Sequence, residues 1–240
     1  MTSPQQHRSP LGDQLAVAGS VDWLVTSGFL ALAAVYIRAF AFTPPEAIQG
    51  PAQRILYVHA SSAFVALYLA FALMALSSVL YLALRDEKLD RLAESAAEVG
   101  LAFTTVVLLT GPLWGKPIWG TWWTWDARLT STLFLWFIIV GYLVLRGAVD
   151  ERGMRARYSA VLGVLAGLLI PFIHLSVYLF RTMHPMPLLA KPSAPSMPGD
   201  MVVTFVSGFF ALTLLFAGLL RARYRIATLR DLIADSEDQH

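Results

Sequence analysis

The sequence predicts an all-α, polytopic membrane protein with six transmembrane helices and both termini in the cytoplasm. Three observations lead there. Of the 240 residues, 57% are hydrophobic and only 14% charged, whereas a soluble domain carries about a quarter charged residues. Six apolar runs approach the roughly 20 residues that cross a bilayer as a helix. The basic residues are distributed unevenly between alternate connections, as the positive-inside rule requires.

The runs are approximately Val21–Phe42, Ile55–Leu84, Val99–Leu113, Leu129–Leu145, Tyr158–Phe180 and Met201–Leu220. Their length and the lack of sustained period-two alternation select helices over a barrel. The third and fourth are short and need residues from the stretch between them. Gly163 and Gly167 make a small-xxx-small step suited to close helix packing. The first twenty residues are polar, so no cleavable signal peptide is expected before Val21. The organisation read from this is a polar cytoplasmic tail (1–20), a six-helix membrane domain (21–222) and a cytoplasmic C-terminal tail (223–240). The mixed-charge run Arg85–Glu98 reads as a solvated cytoplasmic connection.

Orientation follows from twelve of the eighteen basic residues. Arg8, Arg85, Lys88, Arg91, Arg146, Arg152, Arg155, Arg157, Arg221, Arg223, Arg225 and Arg230 fall on one side. Arg38, Arg54, Lys116, Arg128, Arg181 and Lys191 fall on the other. The richer side is cytoplasmic. The second run, about 30 residues or ~45 Å long, exceeds a hydrocarbon core of ~30 Å. Counting ~20 residues outward from Arg85 puts His59 just beyond the outer edge. The same count from Arg157 leaves His174 inside the outer leaflet and His184 just outside it.

At that level lies "WGKPIWGTWWTWDARLTS", Trp114–Ser131, with five of the seven tryptophans. An interfacial aromatic belt is one reading. A belt, however, is spread over many helix ends, and Trp119, Trp122, Trp123 and Trp125 crowd one connection. Gly115, Pro117 and Gly120 permit tight turns there. The stretch, an external loop over 114–128, therefore reads as an indole-lined shelf for a large flat ligand. His59 and His184 are candidate iron ligands at the same depth. His174, following Pro171 in an apolar helix, reads as bonding a freed carbonyl or supporting a ligand, and is otherwise the alternative ligand. Arg54 and Arg128 either snorkel to headgroups or meet the propionates of a porphyrin. Asp126 either pairs with Arg128 or docks a partner. His7 and His240, in polar tails, carry no signal.

Several classes are excluded. With no cysteine there is no disulfide framework, Cys-based metal site or C-x-x-C-H haem attachment. Neither phosphate-binding glycine signature occurs, so any ATP coupling belongs to another subunit. A net charge of +2 gives no reason to expect nucleic acid.

The tryptophan stretch resembles the signature of the haem-handling membrane proteins of cytochrome c biogenesis. "RILYVHASSAF" and "PFIHLSVYLFRTMHP" narrow the resemblance to the haem exporter protein C family, over roughly residues 20–225. The resemblance implies transient, non-covalent haem b held at the outer face between His59 and His184. Trp114, Trp119, Trp122, Trp123 and Trp125 would form the platform, with Arg54, Arg128 and Asp126 at the propionates or a partner. It implies hand-over to a periplasmic haem chaperone, without catalysis. The work would be done beside an ABC-type complex of an ATPase, a second membrane subunit and a small helper, in the lipid of the inner membrane. The rival class is a b-type haem subunit of a quinol oxidoreductase, which wants histidines within the bilayer. Two departures from the family stand out. Ala60-Ser61 replaces Val-Pro after the first histidine, removing an expected kink. Leu179, Phe180 and Arg181 replace two tryptophans and an asparagine before the second, thinning that wall and offering Arg181 to a propionate.

Overall fold

The computed structural model describes residues 22–186 and 197–237, so the expectations placed on residues 1–20, on Lys191 and on His240 lie outside it. Among the described residues, six helices are long and apolar enough to cross a membrane. They are α1 (Trp23–Ala41), α2 (Pro51–Leu84), α3 (Glu87–Trp119), α4 (Ala127–Ala148), α5 (Arg152–Leu179) and α6 (Gly199–Glu237).

Their starts are written locally. Asp22, Asp86, Asp126 and Glu151 each cap a helix, their carboxylates accepting the first free backbone N–H groups of α1, α3, α4 and α5. α3 stops at Gly120, whose φ of 75° is open to glycine without a Cβ penalty. α2 begins in a 3₁₀ turn at Pro51 and contains a π-helical segment, Val65–Phe71. The winding of α2 thus changes one turn beyond Ala60-Ser61. Gly163 and Gly167 lie where α5 meets α2. A Cβ on Gly167 would stand 2.6 Å from that of Ala75, so the step serves close packing.

The central core joins Phe71 and Met74 of α2, Phe103 of α3, Leu135 and Ile139 of α4, and Ile173 of α5. α1 packs chiefly on α6, and Arg221 pairs with the Asp22 cap.

One expectation about the ends needs correction. Arg85–Glu98 is not a solvated connection, because α3 starts at Glu87 and its acids are drawn inward. Arg146 of α4 grips Asp90 at 2.6 and 2.8 Å and Glu94 at 3.0 Å. Arg230 of α6 holds Glu94 at 2.7 and 2.8 Å. Arg91 meets Asp231 at 2.9 Å, and Arg152 meets Asp235 at 2.8 Å. The same pairs hold the described residues after 223 against the bundle. α6 runs unbroken to Glu237 because its last turns supply partners to α3 and α5. At 1.5 Å per residue this ionic end lies about 40 Å along α3 from Trp119.

Arg146 is nearly enclosed, with 4% of its side chain exposed. Arg146→Ala leaves buried Asp90 without its arginine and takes one of two arginines from Glu94. The expected loss of stability is about 3–5 kcal/mol, read as a lower unfolding temperature in detergent. A neighbouring exposed change, Arg157→Ala, serves as the control and should leave the midpoint unmoved.

Candidate functional site

The opposite end opens into a cavity of about 780 Å³, walled by all of α2 to α6. His59 reaches it from α2 and His184 from the connection after α5. Their ring centres stand 6.4 Å apart with planes inclined by 36°. Two imidazoles bound to one metal from opposite sides, at about 2.0–2.1 Å each, place their ring centres about 6–6.5 Å apart.

Hydrogen bonding settles which nitrogen each ring offers. Thr110 Oγ1 lies 3.0 Å from His59 Nδ1 and donates its own proton to the Val106 carbonyl at 2.7 Å. With that hydroxyl proton committed, Thr110 accepts and His59 Nδ1 donates. His184 Nδ1 lies 3.2 Å from the Pro185 carbonyl, which can only accept. Both rings therefore carry hydrogen on Nδ1 and keep the Nε2 lone pair for the cavity. Burial first, and the charge of Arg128 second, press the His184 pKa well below the ordinary histidine value. The imidazole stays neutral, as a metal ligand must.

Gly111 gives His59 its room, since a Cβ there would sit 3.3 Å from the imidazole Cε1. Trp114, buried on α3, packs edge-on against His59 at 5.7 Å and donates its indole N–H to Gln49 Oε1 at 3.0 Å. Trp119, Trp122 and Trp123 also line the cavity. The aromatic stretch is thus half helix and half loop. Pro112 and Pro117 do not stop α3, and only Gly120–Asp126 is left as a connection. Trp125 stands off the cavity lining, 76% exposed and edge-on to Trp123.

The cations divide as well. Arg128 lines the cavity and makes no ion pair among the described residues. Arg54 is turned elsewhere, with Nε donating to the Ala39 carbonyl at 3.0 Å and the guanidinium over Phe40. Arg181 is exposed and lies outside the lining. Asp126 faces neither Arg128's guanidinium nor open solvent alone. Its Oδ1 caps α4 at Arg128 N and Leu129 N, and its Oδ2 accepts from the hydroxyls of Thr124 and Thr182 at 3.2 and 2.8 Å. His174 lines the cavity further along α5, where its Nδ1 meets the Tyr68 hydroxyl at 2.5 Å. Tyr68 stands on the π-helical segment of α2, a kind of distortion common at functional sites.

The cavity wall suits a porphyrin. It is apolar and indole-rich, two facing nitrogens are free for iron, and Arg128 stands ready for a carboxylate. Trp123 Nε1 is moreover buried without an acceptor among the described residues, and such an orphan donor costs about 1–3 kcal/mol unless a ligand accepts from it. Thr110, Gly111, Gln49, Tyr68 and Thr182 belong to this site and had no sequence signal. Each acts through a partner far away in the chain, or through the atoms it lacks.

The family model of heme exporter protein C matches residues 10–237. The heme exporter protein C of Haemophilus influenzae is 34% identical over 195 residues, covering 81% of this chain and 79% of that protein. That of Bradyrhizobium diazoefficiens is 34% identical over 208 residues, 87% of this chain and 78% of its own. A ccmC-like mitochondrial protein of cytochrome c biosynthesis from Marchantia polymorpha is 35% identical over 189 residues, 79% of this chain and 76% of its own.

Gln49→Leu removes the acceptor of the Trp114 indole while keeping bulk. It should lower stability by about 1–3 kcal/mol, measured by thermal unfolding in detergent, while Gln49→Glu, which keeps an acceptor, should lose less.

Proposed function

The chain belongs to the heme exporter protein C family, and from that premise we propose that it carries haem b as transient cargo, ligated by His59 and His184. Haem handling in c-type cytochrome biogenesis is the family's role. The finer reading is that the ring lies against Trp114, Trp119, Trp122 and Trp123 at the outer face of the inner membrane. From there it is presented to a periplasmic haem chaperone, beside an ABC-type complex of an ATPase, a second membrane subunit and a small helper. Arg128 and the Trp123 N–H receive propionate charge.

The observation that carries this reading is the facing pair of imidazoles. Each has Nδ1 committed to the protein, and their separation is that of two ligands on one iron. Two neutral imidazoles fill both axial positions, which leaves no iron coordination site for oxygen. A carrier needs that protection for iron it holds only in passing. The quinol oxidoreductase alternative needs histidines facing each other within the bilayer, and among the described residues no histidine faces His174, whose ring neighbours are Tyr68 and Tyr178.

The direct test is the absorption spectrum of the purified protein, oxidised and reduced. His59→Ala and His184→Ala should each abolish the six-coordinate haem spectrum, while His174→Ala should largely retain it. Loss of bound haem in His174→Ala alone would falsify the ligand pair.

Orientation is tested separately. The basic residues after α2, after α4 and along the end of α6 assign that end to the cytoplasm. A reporter fused after Glu151 should score as cytoplasmic, and one inserted near Lys191 as external. The reverse pattern would place the cavity on the wrong side for outward delivery.

A further inference from the structure

The second histidine is carried by a connection rather than a helix, and its position rests on one side chain. α5 ends at Leu179, and Phe180–Met186 has no helical ladder of its own. Thr182 supplies the missing hold. Its hydroxyl donates to Asp126 Oδ2 at 2.8 Å and accepts the His184 backbone N–H at 3.1 Å. Asp126 in turn is fixed by two backbone N–H groups at the start of α4 and by the Thr124 hydroxyl. A chain of short hydrogen bonds thus runs from α4 through Asp126 and Thr182 to the backbone of the imidazole-bearing residue.

We propose that Thr182 is a positioning residue for the His184 ligand, and that the Asp126–Thr182 hydrogen bond is the latch that keeps this ligand on the iron. The inference rests on haem ligation by His59 and His184. The two ligands are held unequally. His59 sits within a continuous helix, and its ring is braced by Thr110 and Trp114. Among the described residues, His184 has the Pro185 carbonyl on its ring and Thr182 on its backbone. Breaking one hydroxyl–carboxylate contact therefore frees the His184 side first, leaving the haem on His59 with one face open. That is a stepwise route for passing the iron to an incoming ligand. Because Asp126 also binds Thr124 in the tryptophan connection, movement of that connection reaches His184 through the same carboxylate.

The test compares full-length protein carrying haem with Thr182→Val, which keeps shape and loses the hydroxyl, and Thr182→Ser, which restores it. In Thr182→Val the bound haem should shift from six-coordinate low-spin to five-coordinate high-spin. Its transfer to excess apomyoglobin should accelerate by about 10–100-fold, the usual effect of losing an outer-shell partner. Added imidazole should return the low-spin spectrum, and Thr182→Ser should behave as the unaltered chain. Asp126→Ser, which can still cap α4 but is too short to reach Thr182, should reproduce the Thr182→Val spectrum and keeps the question answerable if that variant accumulates poorly. An unchanged spectrum and transfer rate in Thr182→Val overturns the latch, as does a Thr182→Ser protein that matches Thr182→Val. If His184→Ala itself keeps the six-coordinate spectrum, the ligand assignment has failed instead.

Discussion

Each of the two facing imidazoles has one nitrogen committed to the protein and one left for the cavity, and the rest of the site depends on that division. A histidine free to rotate would offer either nitrogen and lose entropy on binding. With Nδ1 bound to Thr110 in one case and to the Pro185 carbonyl in the other, tautomer and ring direction are set beforehand. The 6.4 Å between ring centres then depends on the backbone. His59 and His184 lie 125 positions apart in the sequence, so only the tertiary arrangement brings them together.

That arrangement is fixed most firmly at the far end. Arg146, Asp90, Glu94, Arg230, Arg91 and Asp231 link α3, α4 and α6 in one continuous set of ion pairs. Buried ion pairs are poor sources of net stability, yet removing one partner is costly, so they enforce a register. The effect on function runs along the helices. α3 carries Asp90 and Glu94 at one end and Thr110, Gly111 and Trp114 at the other, so fixing its rotation also fixes the face it shows to His59. The site end has capped helix starts, one short aromatic connection and the Thr182 contact. One end is tied by charge and the other is left adjustable, which suits a protein that must let its cargo go.

The six apolar runs were legible because the cost of charge in hydrocarbon forces roughly 20 consecutive apolar residues. The matched depth of His59, His184 and the tryptophans was legible from the same length argument. Helix ends were not. α3 extends beyond its apolar run at both ends, since Pro112 and Pro117 are tolerated near its close and Asp90 and Glu94 find arginines from other helices at its start. No local pattern announces a partner 50 or 130 residues away. For the same reason Arg54 and Arg128 looked equivalent in the sequence, and only the fold separates them, sending Arg54 to Ala39 and Arg128 to the cavity. Gly111 is the extreme case, because its contribution is the absence of a Cβ beside His59.

A tight haem protein and a haem carrier would share most of these features, and the difference lies in how the wall is closed. A resident haem is usually enclosed by packed side chains on both faces and most of its edge. Here the Trp114 side is closed, buried and hydrogen-bonded to Gln49, while Trp122 is 56% exposed. The opposite wall is thinner still, with Phe180 half-exposed and Arg181 exposed outside the lining. Apolar area and iron coordination therefore contribute separately. In the proposed reading the buried indoles and His59 supply the lasting affinity on one side. On the other, His184 is held by hydrogen bonds that a change of loop conformation would break without disturbing the core. An incoming ligand would then need to displace only the weaker side, so that capture and release share one cavity.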